Sequence, residues 1–300
     1  MCYTITMSWQ VAFIISVVLA IGRLLYTRRY AQRSTVPGTL PPAAGYLFGV
    51  LPVGLIAGLL LFPHEIHWSS TMIVVMIVLS ASMALANWWG FLVAGRLAIA
   101  PQQTIGTITN IAVVIMGWTL LGETLTTAQF VGGGILLVAA LLAIWSPVKS
   151  SKTAARRIDG KTVALAIGAA LMLAIGLVSE KALLEHMDIG GIFLVSWPIQ
   201  LIGMLLLASK DISRKALRAF KTTELRDAVI IGVANGLNGL FYIYAIFHSD
   251  NISLITVLGT IIFPLTVLGA YIFLREREHH ALMWLSVAIS CVGLLVFATL

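Results

Sequence analysis

Polar side chains recur at helical spacing inside long apolar stretches of this sequence. Asn235, Asn238 and Tyr242 follow one another at i, i+3 and i+7, which places them on one face of a helix. A polar group in an apolar environment is costly unless it has a partner. Such a face therefore predicts either a cavity whose amides bind the polar end of a small solute, or a set of hydrogen bonds between helices.

Amide, hydroxyl and aromatic residues of the same kind lie in three other apolar stretches. Amides can bind the polar part of a solute, while aromatic rings pack against its apolar part. With the three residues above, the predicted substrate-binding set comprises Asn87, Trp88, Thr107, Asn110, Trp197 and Gln200. The alternative for each is a contact between helices without a role in binding.

Two ionisable residues inside the apolar stretches are candidates for a coupling or charge site. Arg23 could attract an anionic substrate, and Glu180 could bind a proton. The alternative for both is that the side chain reaches the membrane surface and is solvated there. Glu123 and Glu276 are instead predicted to cap or anchor helix junctions.

The sequence contains no catalytic or cofactor-binding motif. A phosphate-binding loop, a Gly-x-Ser-x-Gly turn and a His-Glu-x-x-His pair are all absent from it. Short polar segments do hold possible metal ligands, namely His64, Glu65, His67, His186, Asp188, His248 and Asp250. Because such residues are common in short loops, we predict no metal site. Because the sequence contains none of the motifs named above, we also predict no cofactor and no enzymatic activity.

The composition explains where these polar residues must sit. Of the 300 residues, 59% are apolar and 10% are charged, and the mean hydropathy is +0.99. A soluble domain has roughly 45–50% apolar and about 25% charged residues. Cys2 and Cys291 are too few for a disulfide framework. The composition therefore predicts a protein whose partner is the lipid bilayer.

Ten stretches are long and apolar enough for a membrane-crossing helix, which needs about 20 residues. Their apolar runs do not alternate as transmembrane strands do, so helices are expected. The segment Met1–Gln10 lacks the features of a removed signal peptide, and we expect the first span to be permanent. The spans run near residues 8–27, 44–62, 71–94, 98–121, 128–146, 162–184, 190–208, 227–247, 252–274 and 281–300.

The basic residues predict the orientation. Of 19 Lys and Arg residues, 18 flank the loops after the odd-numbered spans, and only Lys181 lies on the other face. The positive-inside rule places those loops in the cytoplasm and both termini outside. The net charge of +7 thus has a topological origin, and we predict no nucleic-acid partner.

Matching segments occur in the same order in the two halves of the chain. Because each half has five spans, the second half would cross the membrane in the opposite sense, as in the inverted repeats of secondary transporters. We predict repeats at residues 1–148 and 162–300, joined by a basic linker at 149–161. The matches are Leu19–Gly22 with Leu173–Gly176, Pro52–Leu61 with Pro198–Leu207, Ala86–Asn87 with Ala234–Asn235, and Gly106–Ile108 with Gly259–Ile261.

The segment Gly122–Thr126, which closes the fourth span, resembles the GE-x-L-T signature of EamA-type transporters in the drug/metabolite transporter superfamily. The second copy, Leu274–Glu276, keeps the Glu but has Arg275 in place of Gly. The resemblance implies ten helices, with a central cavity lined by spans one to four and six to nine. It also implies cytoplasmic termini, whereas the charge count predicts external ones. Residues 8–22 lack the first-span carboxylate through which small four-helix relatives couple to protons.

These observations predict an all-α polytopic protein of the plasma membrane, in bacteria the inner membrane, acting as a monomer or homodimer. Its expected function is secondary transport of a small organic metabolite or drug-like solute by alternating access, as an exporter or exchanger. The alternatives are a flippase for a lipid or lipid-linked carrier, and a membrane scaffold or sensor without flux.

Overall fold

The computed structural model describes residues 7–144 except 35 and 37, and residues 160–213, 220, 222–249, 251–274 and 280–299. In these ranges the elements are helices, apart from one antiparallel β-bridge between Ile66 and Met187. In chain order they are α1 (Trp9–Arg33), α2 (Leu40–Leu60), α3 (Ser70–Arg96), α4 (Ile99–Leu121), α5 (Thr127–Ile144), α6 (Gly160–Leu183), α7 (Ile189–Ala208), α8 (Thr222–Ser249), α9 (Ile252–Leu274) and α10 (His280–Thr299).

Eight helices of the described part, α1–α4 and α6–α9, are long and apolar enough to cross a membrane. The apolar runs of α5 and α10 are shorter, at Phe130–Ala139 and Trp284–Gly293. Large apolar side chains point outward from the bundle: Phe130 is 72% exposed and Phe273 is 75% exposed. Such a surface is stable against lipid and not against water. An all-α protein built from apolar, membrane-compatible helices is therefore confirmed.

Two helices extend beyond their predicted apolar spans, because polar contacts hold their ends together. Helix α1 runs six residues past position 27, to Arg33, and α8 begins five residues before position 227, at Thr222. The buried carboxylate of Asp227 accepts hydrogen bonds from the Tyr26 hydroxyl and from Arg33, both at 2.8 Å. A hydropathy window detects only the apolar part of such a helix.

The helices pack in a regular set of pairs. Helix α1 lies against α8, and α3 lies against α6; α5 pairs with α10, α2 contacts α7 and α8, and α4 contacts α6 and α9. The helices α5 and α10 therefore lie beside each other, while the other eight form the central bundle. The predicted linker at 149–161 lies outside the described residues except for its last two positions, which begin α6.

Two helices have a π-helical turn directly before a proline. The turn at Tyr46–Val50 precedes Pro52 in α2, and the turn at Ile192–Ser196 precedes Pro198 in α7. A proline has no N–H to donate to the residue four positions earlier, so the preceding turn can widen. The two π turns therefore occur at matching places in the two halves of the chain.

Helix α4 ends in a turn that joins it to α9. Gly122 has φ +67°, a left-handed conformation that glycine adopts without strain and that commonly ends a helix. The turn brings the Glu123 carboxylate to the start of α9, where it accepts hydrogen bonds from Ile252 N (2.7 Å), Ser253 N (2.9 Å) and Ser253 Oγ (2.5 Å). The predicted capping role of Glu123 is confirmed. Glu276 lies outside the described residues.

Replacement of this cap should destabilise the protein. In Glu123→Ala, two backbone N–H groups at the start of α9 lose a charged acceptor, which costs about 3 kcal/mol. The midpoint of thermal unfolding in detergent should fall by roughly 6–10 °C. Glu185→Ala is the matched control, because Glu185 is an exposed glutamate near the end of α6. Equal midpoints for the two variants would contradict the capping role.

Candidate solute site

A cavity of about 430 Å³ lies in the centre of the bundle. Its walls come from α1–α4 and α6–α9, and none of the described lining residues belongs to α5 or α10. These eight helices are those that the family resemblance implies. The volume lies in the range of small-molecule sites, which are roughly 300–1,000 Å³.

The cavity reaches close to one face of the bundle. We call this the basic face; it is where α1 ends at Arg33 and α3 ends at Arg96. Tyr30, Ala94 and Gln102 line the cavity within three residues of the helix ends at this face. The lining of the cavity therefore extends to the helix ends at the basic face.

The other face, which we call the opposite face, is packed. Phe62 lies with its ring centroid 5.9 Å from that of Phe193 and 6.0 Å from that of Tyr244. The hydroxyl of Tyr244 also donates to the carbonyl oxygen of Met7 at 2.9 Å. Buried aromatic and aliphatic side chains thus separate the cavity from this face.

Two loops close over the opposite face. The loop after α2 and the loop after α6 exchange backbone hydrogen bonds: His67 N donates to His186 O at 2.8 Å, and Asp188 N donates to Glu65 O at 3.1 Å.

Among the described residues, no group of three or more His, Cys, Asp or Glu could hold a metal ion. Asp250, the last of the possible ligands named from the sequence, lies outside the described part.

The predicted polar face of α8 lines the cavity. Asn235 Oδ1 accepts a 2.6 Å hydrogen bond from the Arg23 guanidinium, and Asn238 Nδ2 donates to Ser16 O at 2.8 Å. The Tyr242 hydroxyl lies 3.4 Å from the hydroxyl of Thr256. Each of the three residues has a partner on another helix, as the interpretation of hydrogen bonds between helices predicts, and each also lines the cavity.

A second cluster lies where α7 meets α2 and α6. The Tyr46 hydroxyl donates to Gln200 Oε1 at 2.7 Å, and Gln200 Nε2 donates to Ser196 Oγ at 3.1 Å. The Trp197 side chain hydrogen-bonds to Glu180, whose side chain is buried. Trp197, Gln200 and Glu180 all line the cavity.

The remaining predicted residues divide into those that line the cavity and one that does not. Asn87, Thr107 and Asn110 are lining residues, and Asn87 Nδ2 donates to Met83 O in its own helix at 2.8 Å. Trp88 is outside the described cavity lining, and its ring packs against that of Trp89 with centroids 6.5 Å apart. Adjacent helical residues point about 100° apart, and of this pair Asn87 is in the described cavity lining while Trp88 is not.

Ser16 and Tyr46 are among the lining residues with polar contacts that were not predicted. Ser16 precedes Arg23 by seven positions, so the two share a helical face, a signal that the sequence does contain. Tyr46 has no polar neighbour at helical spacing. Its contact with Gln200 joins residues 154 positions apart, and no local pattern predicts it.

Comparison with known proteins gives information on the fold alone. No protein-family model and no curated protein matches the chain. A crystal structure described only as that of a protein is similar, with a TM-score of 0.66 and 16% sequence identity, over 96% of this chain and 98% of that chain. The whole helical arrangement therefore recurs in a solved structure.

Proposed function

We propose that this chain is a secondary transporter that moves a small organic solute across the membrane by alternating access. The observation that carries this proposal is a central cavity with polar side chains in its wall, whose lining extends to the basic-face ends of a bundle of apolar helices, with packed aromatic rings and paired loops at the opposite face. In this proposal a solute reaches Arg23, Asn235 and Gln200, which all line the cavity, from the basic face in one state of an alternating-access cycle.

We further propose ten membrane spans arranged as two inverted five-helix repeats of the EamA type. The pairing of the helices supports this: α1 with α8 mirrors α6 with α3, and α5 pairs with its own counterpart α10. The π turns at residues 46–50 and 192–196 support it too. In such a repeat the site lies between the halves, and rocking of the halves exposes it to each side in turn.

The charge distribution assigns the basic face to the cytoplasm. In this assignment the cavity faces the cytoplasm and the closed face is external, in the plasma membrane. A cytoplasm-facing site is consistent with an exporter or exchanger of cellular solutes. No ATP-binding motif is present in the sequence, so solute gradients, exchange or a proton gradient would supply the energy.

Transport should depend on the amides of α8. In Asn235→Ala or Asn238→Ala the cavity loses one of its polar groups, and solute affinity should fall by about tenfold, since a hydrogen bond to a charged group contributes about 1.5–3 kcal/mol. Counterflow into vesicles that contain the purified variants, over a panel of metabolites, measures this loss.

Thr119→Ala is the control variant. Thr119 is exposed near the end of α4 and its hydroxyl bonds only within its own helix, to Ile115 O at 2.8 Å. It should keep normal counterflow. Normal transport by the Asn235→Ala/Asn238→Ala double variant would remove α8 from the site, and absence of flux for the whole panel in the wild type would refute the transport proposal.

A further inference from the structure

Two ionisable side chains, one basic and one acidic, line the cavity without an ionic partner in the described structure. From these two groups we infer that the solute is zwitterionic: an anionic group binds at Arg23 and Asn235, and a cationic group binds at Glu180. This inference rests on the proposed function, because it names the chemical class of the solute at the same site.

Arg23 supplies the positive charge. Its Nη1 donates to Asn235 Oδ1, while its Nε is buried and has no hydrogen-bond partner. Within the described ranges, no carboxylate lies within 4.0 Å of the guanidinium. Arginine carries its charge at any physiological pH and presents a planar fork that fits a carboxylate or phosphate. The neutral amide of Asn235 leaves that charge uncompensated.

Glu180 supplies the negative charge. It lies three residues before the end of α6, lines the cavity and is 6% exposed. Its hydrogen-bond partner is the Trp197 side chain, which carries no charge. In the same described part of the chain, no Lys, Arg or His nitrogen lies within 4.0 Å of its carboxylate. Burial without a counter-ion disfavours the ionised carboxylate, so a cationic group bound at this end of the cavity would stabilise the ionised form of Glu180.

The aromatic residues around Glu180 fit a cationic group as well. Trp197, Tyr46 and Tyr242 all line the cavity, and both tyrosines are close enough to Glu180 to interact with its charge. Aromatic rings attract ammonium groups through their negative faces. Glu180 and these lining rings therefore offer an amine both an acidic group and aromatic surface.

The two charges lie at different depths in the cavity. Arg23 is ten residues from the basic-face end of α1, and Glu180 is twenty residues from the basic-face end of α6. Glu180 is three residues from the opposite-face end of α6, whereas Arg23 is fourteen residues from the opposite-face end of α1. A solute that arrives from the basic face therefore meets Arg23 first and Glu180 last. This order places its cationic group inward.

The charges also come from corresponding helices of the two halves. Leu19–Gly22 in α1 matches Leu173–Gly176 in α6. The next positions in this alignment are Arg23 and Leu177, so Arg23 has no basic counterpart in α6. The first half thus contributes a basic group to the cavity, and the second half contributes an acidic group. A solute with two opposite charges would contact both halves at once and would couple its binding to their relative position.

Matched probes test this inference directly. Each set shares one carbon skeleton and comprises a zwitterion, its acid and its amine: 5-aminopentanoate with pentanoate and pentylamine, and phenylalanine with 3-phenylpropanoate and 2-phenylethylamine. A ladder from glycine to 6-aminohexanoate varies the distance between the charges. Affinity is measured from the thermal shift of the purified chain. We expect the best zwitterion to bind at least about tenfold more tightly than its own acid or amine.

Single-charge variants give the decisive readout. In Arg23→Gln the zwitterion should bind no better than the amine, and in Glu180→Gln it should bind no better than the acid. Arg23→Lys and Glu180→Asp keep the charges and should retain the preference for the zwitterion. A structural defect would weaken all three probes alike and would leave their order unchanged.

Three results would overturn the inference: an acid or amine that binds the wild type as tightly as its zwitterion, an unchanged order of probes in both single-charge variants, or no binding by any zwitterion.

Other results distinguish failure of this inference from failure of the proposed transport function. Counterflow of uncharged solutes that is unaffected in Arg23→Gln and Glu180→Gln would keep the transporter and reject the zwitterion. Tight zwitterion binding without counterflow would keep the binding site and reject transport.

Discussion

Gly232→Ala should abolish the folded state of the purified protein at the temperatures where the wild type is stable. A Cβ atom at position 232 would lie 1.9 Å from the carbonyl oxygen of Gly45 and 2.6 Å from its carbonyl carbon. Both atoms belong to the backbone of α2, so no side chain can rotate away. The helices α2 and α8 would have to separate by more than an ångström along their contact.

The cost of this change should exceed that of ordinary overpacking, which is about 1–3 kcal/mol. Gly49 faces the same contact, where a Cβ would lie 2.5 Å from the carbonyl carbon of Gly232. The helices also carry Tyr46 and Asn235, so their separation would disturb the cavity wall. The measurements are the yield of monodisperse protein and the midpoint of thermal unfolding.

Gly22→Ala is the matched control for this prediction. Gly22 is an exposed glycine within α1, and a Cβ there meets no atom within 4 Å. Alanine has a helix propensity about 1 kcal/mol better than glycine, so this variant should be as stable as the wild type or slightly more so. If Gly232→Ala unfolds at the same temperature as Gly22→Ala, the close approach of α2 and α8 is wrong.

The sequence predicts those features of the site that depend on one helix alone. The face formed by Asn235, Asn238 and Tyr242 follows from helical periodicity and lines the cavity. The cap at Glu123 follows from its position after Gly122 at the end of an apolar helix. Each of these features depends on spacing within a few residues, which is the information that a sequence carries locally.

Features that join distant helices could not be predicted in this way. Arg23 and Asn235 are 212 positions apart, and their hydrogen bond depends on how α1 packs against α8. Trp88 is predicted from its aromatic type, which does not say where its ring points, and the ring packs against that of Trp89. The lengths of α1 and α8 depend on the ion pair of Arg33 with Asp227, which a hydropathy average treats only as polarity.

A reversible cross-link across the opposite face should stop transport if alternating access is correct. Ile66 and Met187 form the antiparallel bridge between the loop after α2 and the loop after α6. Opposed residues in such a bridge have Cα atoms about 4.5–5.5 Å apart, which suits a disulfide, whose Cα atoms are usually about 4.4–6.8 Å apart. Ile66→Cys/Met187→Cys, with Cys2 and Cys291 replaced by Ser, should therefore cross-link on oxidation.

The oxidised protein should bind solute but not transport it, because its cavity still reaches the basic face while the opposite face cannot open. Flux and the cross-linked fraction are measured on the same vesicles, and reduction should restore flux. The single variants Ile66→Cys and Met187→Cys, treated with the same oxidant, separate the cross-link from cysteine oxidation. Unchanged flux in fully cross-linked protein would mean that the paired loops never separate during transport, and rocking of the two halves about the cavity would then be excluded.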